Sequence, residues 1–121
     1  MRKKILSVAS NDALRVTRHM MLQSRGFEVV STANIRETHN VLKSADFDLV
    51  ILGVAIEGDQ KREMANLTRK HCDRAEILEL CRISPEVRDA DHHLFSAEPE
   101  EIDHTIRRIL NGKKVPEQTS N

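Results

Sequence analysis

Three groups of side chains in this 121-residue sequence are of types that do chemistry. Asp91-His92-His93 and His71-Cys72-Asp73 each bring imidazole close to carboxylate, the second with a thiol as well, and all three are ligands of transition metals. Neighbours in an extended segment point to opposite faces, so His92 and His93 cannot both turn to one ion. They read as structural histidines, and no metal site is expected. Cys81 closes an apolar run and is a candidate nucleophile, but nothing beside it in sequence favours the thiolate. Cys72 and Cys81 lack CxxC spacing and read as reduced thiols, Cys81 as a small buried hydrophobe. Glu79 is the oddity, a carboxylate inside Ile77-Leu78-Glu79-Leu80-Cys81, a run with the composition of an interior strand. Either its face is wet or it pairs with an arginine or histidine. Lys61-Arg62 and Arg69-Lys70 read as the solvated face of a helix rather than a nucleic-acid surface.

The elements that position these residues follow from periodicity. Short apolar runs alternate with amphipathic ones, the pattern of a parallel sheet covered by helices. Strands are predicted over Lys4 to Ala9, Phe27 to Thr32, Asp48 to Gly53, Ala75 to Cys81 and roughly His93 to Ser96. Asp12 to Arg25 carries Leu14, Thr17, Met21 and Leu22 on one stripe and closes at Gly26, which predicts a helix. Asn34 with Glu37 three residues on opens a second helix with Ile35, Thr38, Val41, Leu42 and Ala45 at helical spacing. Asp59 to Cys72 is a charged third helix anchored by Met64, Ala65 and Leu67, and Pro99-Glu100-Glu101 starts a last one that Gly112 ends. A single domain over residues 1–112 with a flexible tail over 113–121 is expected. Nineteen basic residues balance nineteen acidic ones, so no nucleic-acid or anionic-membrane partner is expected. The longest apolar stretch, Leu49 to Ile56, is too short to span a bilayer, and a cytoplasmic protein without a cofactor is expected.

Ile5-Leu6-Ser7-Val8 followed by Asp12-Ala13-Leu14-Arg15, then Gly26-Phe27-Glu28-Val29-Val30, then Phe47-Asp48-Leu49-Val50-Ile51-Leu52 stand in the order and at the spacing of one known family. Up to Gly112 the chain resembles the response-regulator receiver domain of the CheY-like superfamily. That resemblance implies an α/β fold, a doubly wound five-stranded parallel sheet of order 2-1-3-4-5 (flavodoxin-like), with its site at the carboxyl ends of the strands. Receivers carry there an acidic pair for Mg²⁺, an aspartate acceptor, a hydroxyl and a lysine. Residue by residue, the acidic pair falls at Ala9 and Ser10, the acceptor at Gly53, the hydroxyl at Cys81 and the lysine at Ser96. All depart from the family pattern.

A vestigial phosphoacceptor pocket is therefore expected, in a non-enzymatic, non-phosphorylatable domain. It would act as a protein-interaction module in two-component or phosphorelay-type signalling, with a protein partner or as a homodimer. The rivals are a regulator phosphorylated at a non-standard acceptor such as Glu57, Asp59 or Asp12, and a small metal or thiol protein on the same scaffold. Only Arg82 to Phe95 separate Cys81 from Ser96, so the family's fourth helix should be a stub begun by Ser84 and Pro85 and ended by Asp91. The uncovered sheet face predicts a docking surface at Leu78, Glu79, Leu80, His93 and Leu94, with Glu79 partly wet. A side chain at Gly53 would be costly if that residue stood at positive φ, and the pocket is expected to lack a cation.

Overall fold

The computed structural model describes residues 2–112, and the expected tail over 113–121 lies outside them. The order of elements is β1 (Lys4–Val8), α1 (Asp12–Ser24), β2 (Glu28–Thr32), α2 (Ile35–Ser44), β3 (Leu49–Leu52), α3 (Gly58–His71), β4 (Glu76–Leu80), β5 (His92–Leu94) and α4 (Pro99–Leu110). All five strands run parallel in one sheet of order β2-β1-β3-β4-β5, as expected of a doubly wound fold.

Strand alternation divides the core into two layers. Leu6, Val8, Val50, Leu52 and Ile77 pack with Leu42, Met64 and Ala65 of α2 and α3. Ile5, Leu49, Ile51, Leu78 and Leu80 pack on the opposite face with Leu22, Ile102 and Ile106 of α1 and α4. The strands are apolar on both sides because helices cover both.

Local signals set the helix ends. The Asn11 side chain accepts the Leu14 N–H, and Gly26 takes φ +96° just after α1. Asn34 accepts the Glu37 N–H, while the Glu37 carboxylate accepts from Ala33, a reciprocal cap at the start of α2. The inner stripe of α1 differs from the expected one. Thr17 is exposed, Leu14 is half exposed, and Arg18 is buried beside Leu22. A long basic side chain reads as a solvent residue in a periodicity count, although its apolar stem can lie in a core.

Between β4 and β5 the expected stub helix is replaced by an irregular segment, Cys81 to Asp91. Side chains hold it in place of helical hydrogen bonds. Val87 and Ala90 insert into the core against the α2/α3 layer. Arg62 donates to the Glu86 carbonyl and Arg69 to the Asp89 carbonyl, while Asp91 accepts both the Ile77 N–H and Arg69. Glu79 closes the arrangement. It stands on the same face of β4 as Ile77, so it meets α3 and this segment, and its carboxylate accepts the N–H groups of Glu86 and Val87. A helix would satisfy those amides internally, whereas here one buried carboxylate does so.

Candidate functional site

The five positions singled out in sequence gather at the carboxyl end of the sheet. Ala9 follows β1, Gly53 follows β3, Cys81 follows β4 and Ser96 lies two residues past β5. Ala9 and Cys81 are buried, Ser96 is half-buried, and Ser10 is exposed at the turn into α1. Beside them is a depression of about 390 Å³ whose lining includes Val54, Ala55, Cys81, Arg82, Phe95 and Ser96, and no carboxylate.

Gly53 is held by close approach rather than by backbone conformation. Its φ is not positive, so the conditional cost of a left-handed backbone does not apply; among the described residues only Gly26 and Gly112 have that conformation. The Gly53 N–H donates to the Val8 carbonyl at 3.0 Å, and a β-carbon on Gly53 would stand 2.9 Å from that same oxygen. Any side chain here requires β1 and β3 to shift.

The expectation of a pocket without a cation fails. The Arg18 guanidinium reaches to 3.5 Å from where the Gly53 β-carbon would be. The residue is 7% exposed, and among the described residues its guanidinium neither donates a hydrogen bond to a protein group nor pairs with a carboxylate. Burial pushes its pKa below the ordinary arginine value. Arg15, one turn earlier, donates to the Ala9 carbonyl and to Asp12, which occupies that acid. Sequence reasoning missed Arg18 because neither its type nor its spacing marks it as buried. The small residue facing it, Gly53, was the available signal.

The proposed docking surface is corrected. Leu78, Glu79 and Leu80 are fully buried, and His93 and Leu94 half-buried. Glu79 is dry because α3 supplies a partner. Lys61, 1% exposed, donates to the Glu79 carboxylate at 3.0 Å and to the Leu80 carbonyl at 3.0 Å. The partner is therefore a lysine taken in sequence as part of a solvated face, with His93 Nε2 another 3.4 Å from Glu79. Burial is the largest influence on the Glu79 carboxyl and would raise its pKa. Lys61 and the amides of Glu86 and Val87 together outweigh it and hold the group below the ordinary carboxylate value.

The Cys81 thiol is pushed up to about 11 by burial and then by neighbouring Glu79, so it is protonated and a poor nucleophile near neutral pH. Of the other acids, Asp12 is paired with Arg15, and Asp59 accepts the neighbouring Gln60 N–H. His92 meets Glu76 and His93 the Val87 carbonyl, so the two rings diverge as strand geometry requires. Among the described residues no three His, Cys, Asp or Glu side chains are grouped to hold a metal ion. No helix among them is long and apolar enough to cross a membrane.

No family model matches this sequence, and neither does any curated protein sequence. Solved structures do. The response regulator TrrA of Thermotoga maritima, in complex with Mg²⁺-BeF, superposes with a TM-score of 0.75 at 26% identity, over 88% of this chain and 98% of that one. The chemotaxis protein CheY4 of Vibrio cholerae gives 0.79 at 26% identity over 90% and 99%. A CheY-like receiver domain of Methanospirillum hungatei gives 0.81 at 18% identity over 92% and 95%. With the strand order β2-β1-β3-β4-β5, these neighbours establish that the chain has the fold of the CheY-like receiver domains.

Proposed function

We propose that this is a receiver-like domain that is not phosphorylated and works as a protein-interaction module in two-component-type signal transduction. One observation carries the reading. The position at the end of β3 that faces the pocket is a glycine, packed so closely on the Val8 carbonyl that no nucleophilic side chain fits without moving two strands. The surroundings support it. Ala9, Ser10, Cys81 and Ser96 supply no carboxylate for a divalent cation, and an arginine side chain already reaches the place where charge would be needed.

A receiver that does not switch chemically signals by what it binds. The carboxyl end of the sheet offers apolar surface for that role, with Ile83 84% exposed, Phe95 52% and Leu14 49%. A homodimer or a signalling protein would dock there, in place of the buried strand residues expected from sequence.

The test is incubation of the pure chain with acetyl phosphate and Mg²⁺, followed by intact mass measurement. An unchanged mass is expected. A single phosphoryl gain, located at Asp12, Glu57 or Asp59 by fragmentation, would establish the rival reading of a non-standard acceptor.

A further inference from the structure

We propose that His39 of α2 and His71 of α3 form a two-histidine site for a divalent transition ion of the kind imidazole prefers, Zn²⁺ or Cu²⁺, with water in the remaining positions. The two rings lie with their centroids 5.3 Å apart and their planes inclined at 41°. With metal–nitrogen bonds of about 2.0–2.1 Å, two imidazoles on one tetrahedral ion stand with their centroids about 5 Å apart, so the pair is already at ligating separation. The chain itself leaves His71 unused, because its Nε2 is buried and meets no hydrogen-bond partner. In the tautomer with the proton on Nδ1, that nitrogen is a bare lone pair, the form in which imidazole binds a metal. Other histidines of the fold have protein partners: His19 meets Ser31, His92 meets Glu76 and His93 the Val87 carbonyl.

The sequence sets His71 beside Cys72 and Asp73, but the fold gives it a different companion. The Cys72 sulfur is buried and taken up by the Phe47 N–H, and Asp73 is exposed, while α2 brings His39 across. His71 and Asp46 line one polar depression of about 240 Å³, together with Lys43 and Ser44. Asp46 precedes β3 and His71 ends α3, so the depression lies at the amino end of the strands, away from Gly53. A carboxylate there adds negative charge and an acceptor for a metal-bound water, the outer-shell role that orients a ligand set. Two cations oppose the ion. Burial, then His39, Lys70 and Lys43, hold the His71 pKa below 6.5, which keeps the ring neutral near pH 7, while the same lysines weaken the attraction for a divalent ion. The site is therefore an open, exchangeable one between two half-buried histidines rather than a closed structural centre.

The test is titration of the ¹⁵N-labelled chain with Zn²⁺ near neutral pH, following the imidazole nitrogens by long-range ¹H–¹⁵N correlation, with Mg²⁺ added to a parallel sample. Saturable shifts of the His39 and His71 nitrogens at one ion per chain are expected, with His19, His92 and His93 unmoved. Mg²⁺, which takes oxygen ligands, should leave all of them in place. His39→Gln and His71→Gln should each weaken Zn²⁺ binding about tenfold or more, since losing even an outer-shell partner commonly costs about 10–100-fold, and His92→Gln should bind as the wild type does. Amide dispersion reports folding; should His71→Gln fail to fold, His39→Gln decides alone. No saturable shift in the wild type, equal affinity in folded His39→Gln, or shifts centred on His92 and His93 overturns the site. Because the site lies at the other end of the sheet, none of these outcomes bears on the acetyl phosphate test of the reading above.

Discussion

Replacing Lys61 with methionine should destabilise the domain by about 3 kcal/mol near neutral pH, the low end of the roughly 3–5 kcal/mol lost when one partner of a buried ion pair is removed. Methionine keeps the apolar stem but strands the Glu79 carboxylate, which is wholly buried, and the Leu80 carbonyl. The low end applies because Glu79 keeps two donors, the amides of Glu86 and Val87. At about 4–8 °C per kcal/mol for a domain near this size, the melting temperature should drop by roughly 12–24 °C.

The pH dependence should change sign with the substitution. In the wild type the folded Glu79 pKa lies below its ordinary value of 4.5, so its contribution is complete above that value and is lost as the pH falls. Without Lys61, burial dominates and the folded pKa rises above the unfolded one. The variant then suffers most near neutrality and recovers part of the deficit as the carboxyl protonates. Adding Glu79→Gln to Lys61→Met should recover stability near neutral pH, because a neutral amide oxygen can still accept from Glu86 and Val87. Urea unfolding at several pH values, with the slope checked for constancy, measures all of this. The reasoning fails if Lys61→Met lies within about 1 kcal/mol of the wild type, the scale of an exposed ion pair, or if the double variant is no more stable than the single.

Gly53→Ala should cost about 1–3 kcal/mol in urea unfolding, the range for overpacking, because its β-carbon meets the Val8 carbonyl at 2.9 Å. Gly53→Asp should gain no phosphate from acetyl phosphate and should be more stable than Gly53→Asn because its carboxylate can pair with Arg18. Acid should also act through His71, whose Nε2 is buried without a partner. Burial, then His39, Lys70 and Lys43, hold its pKa below the ordinary 6.5, so the stability tied to its neutral form is present above that value and is lost as the pH falls below it. His71→Gln should flatten the change in urea midpoint between about pH 7 and pH 5.5, the range in which histidine titrates.

The strands and helices were legible because each rests on repeated local signals, apolar runs for strands buried on two faces and caps such as Asn34 and Gly26 for helices, while the strand order followed from the family resemblance. The convergence of Ala9, Gly53, Cys81 and Ser96 followed from the same frame, since strand ends in a doubly wound sheet lie together. Three features escaped, each for a physical reason. Lys61 and Arg18 are hidden by residue type, because a periodicity count assigns basic side chains to solvent whether or not a partner or a gap awaits them. The Cys81 to Asp91 segment carries Ser84-Pro85, a plausible helix start, but its amides are captured by Glu79, so the local cap loses to a distant carboxylate. The docking surface expected on β4 depended on that segment leaving the face bare. Val87, Ala90 and the Lys61 stem cover the Glu79 side instead, and Ile102 and Ile106 of α4 pack with Leu78 and Leu80 on the other.

The two buried cations among the described residues explain each other by contrast. Lys61 and Arg18 project from helices on opposite faces of the sheet, and both extend toward its carboxyl end. On the α3 face the chain meets the charge completely, with a carboxylate at 3.0 Å, a carbonyl at 3.0 Å and Glu86 at 3.4 Å. That completeness ties down a segment that would otherwise have neither helix nor cap. On the α1 face the guanidinium lies 3.5 Å from where a Gly53 β-carbon would be, and no acid among the described residues pairs with it. Had Arg18 been only a structural filler, methionine or leucine would fill the same volume without the desolvation cost of a charge. Had it been a structural ion pair, a carboxylate would stand opposite, as Glu79 does for Lys61. Arg18 instead places positive charge beside Gly53, where the receiver pattern has its acceptor, so the chain itself holds there the charge that a bound cation would bring.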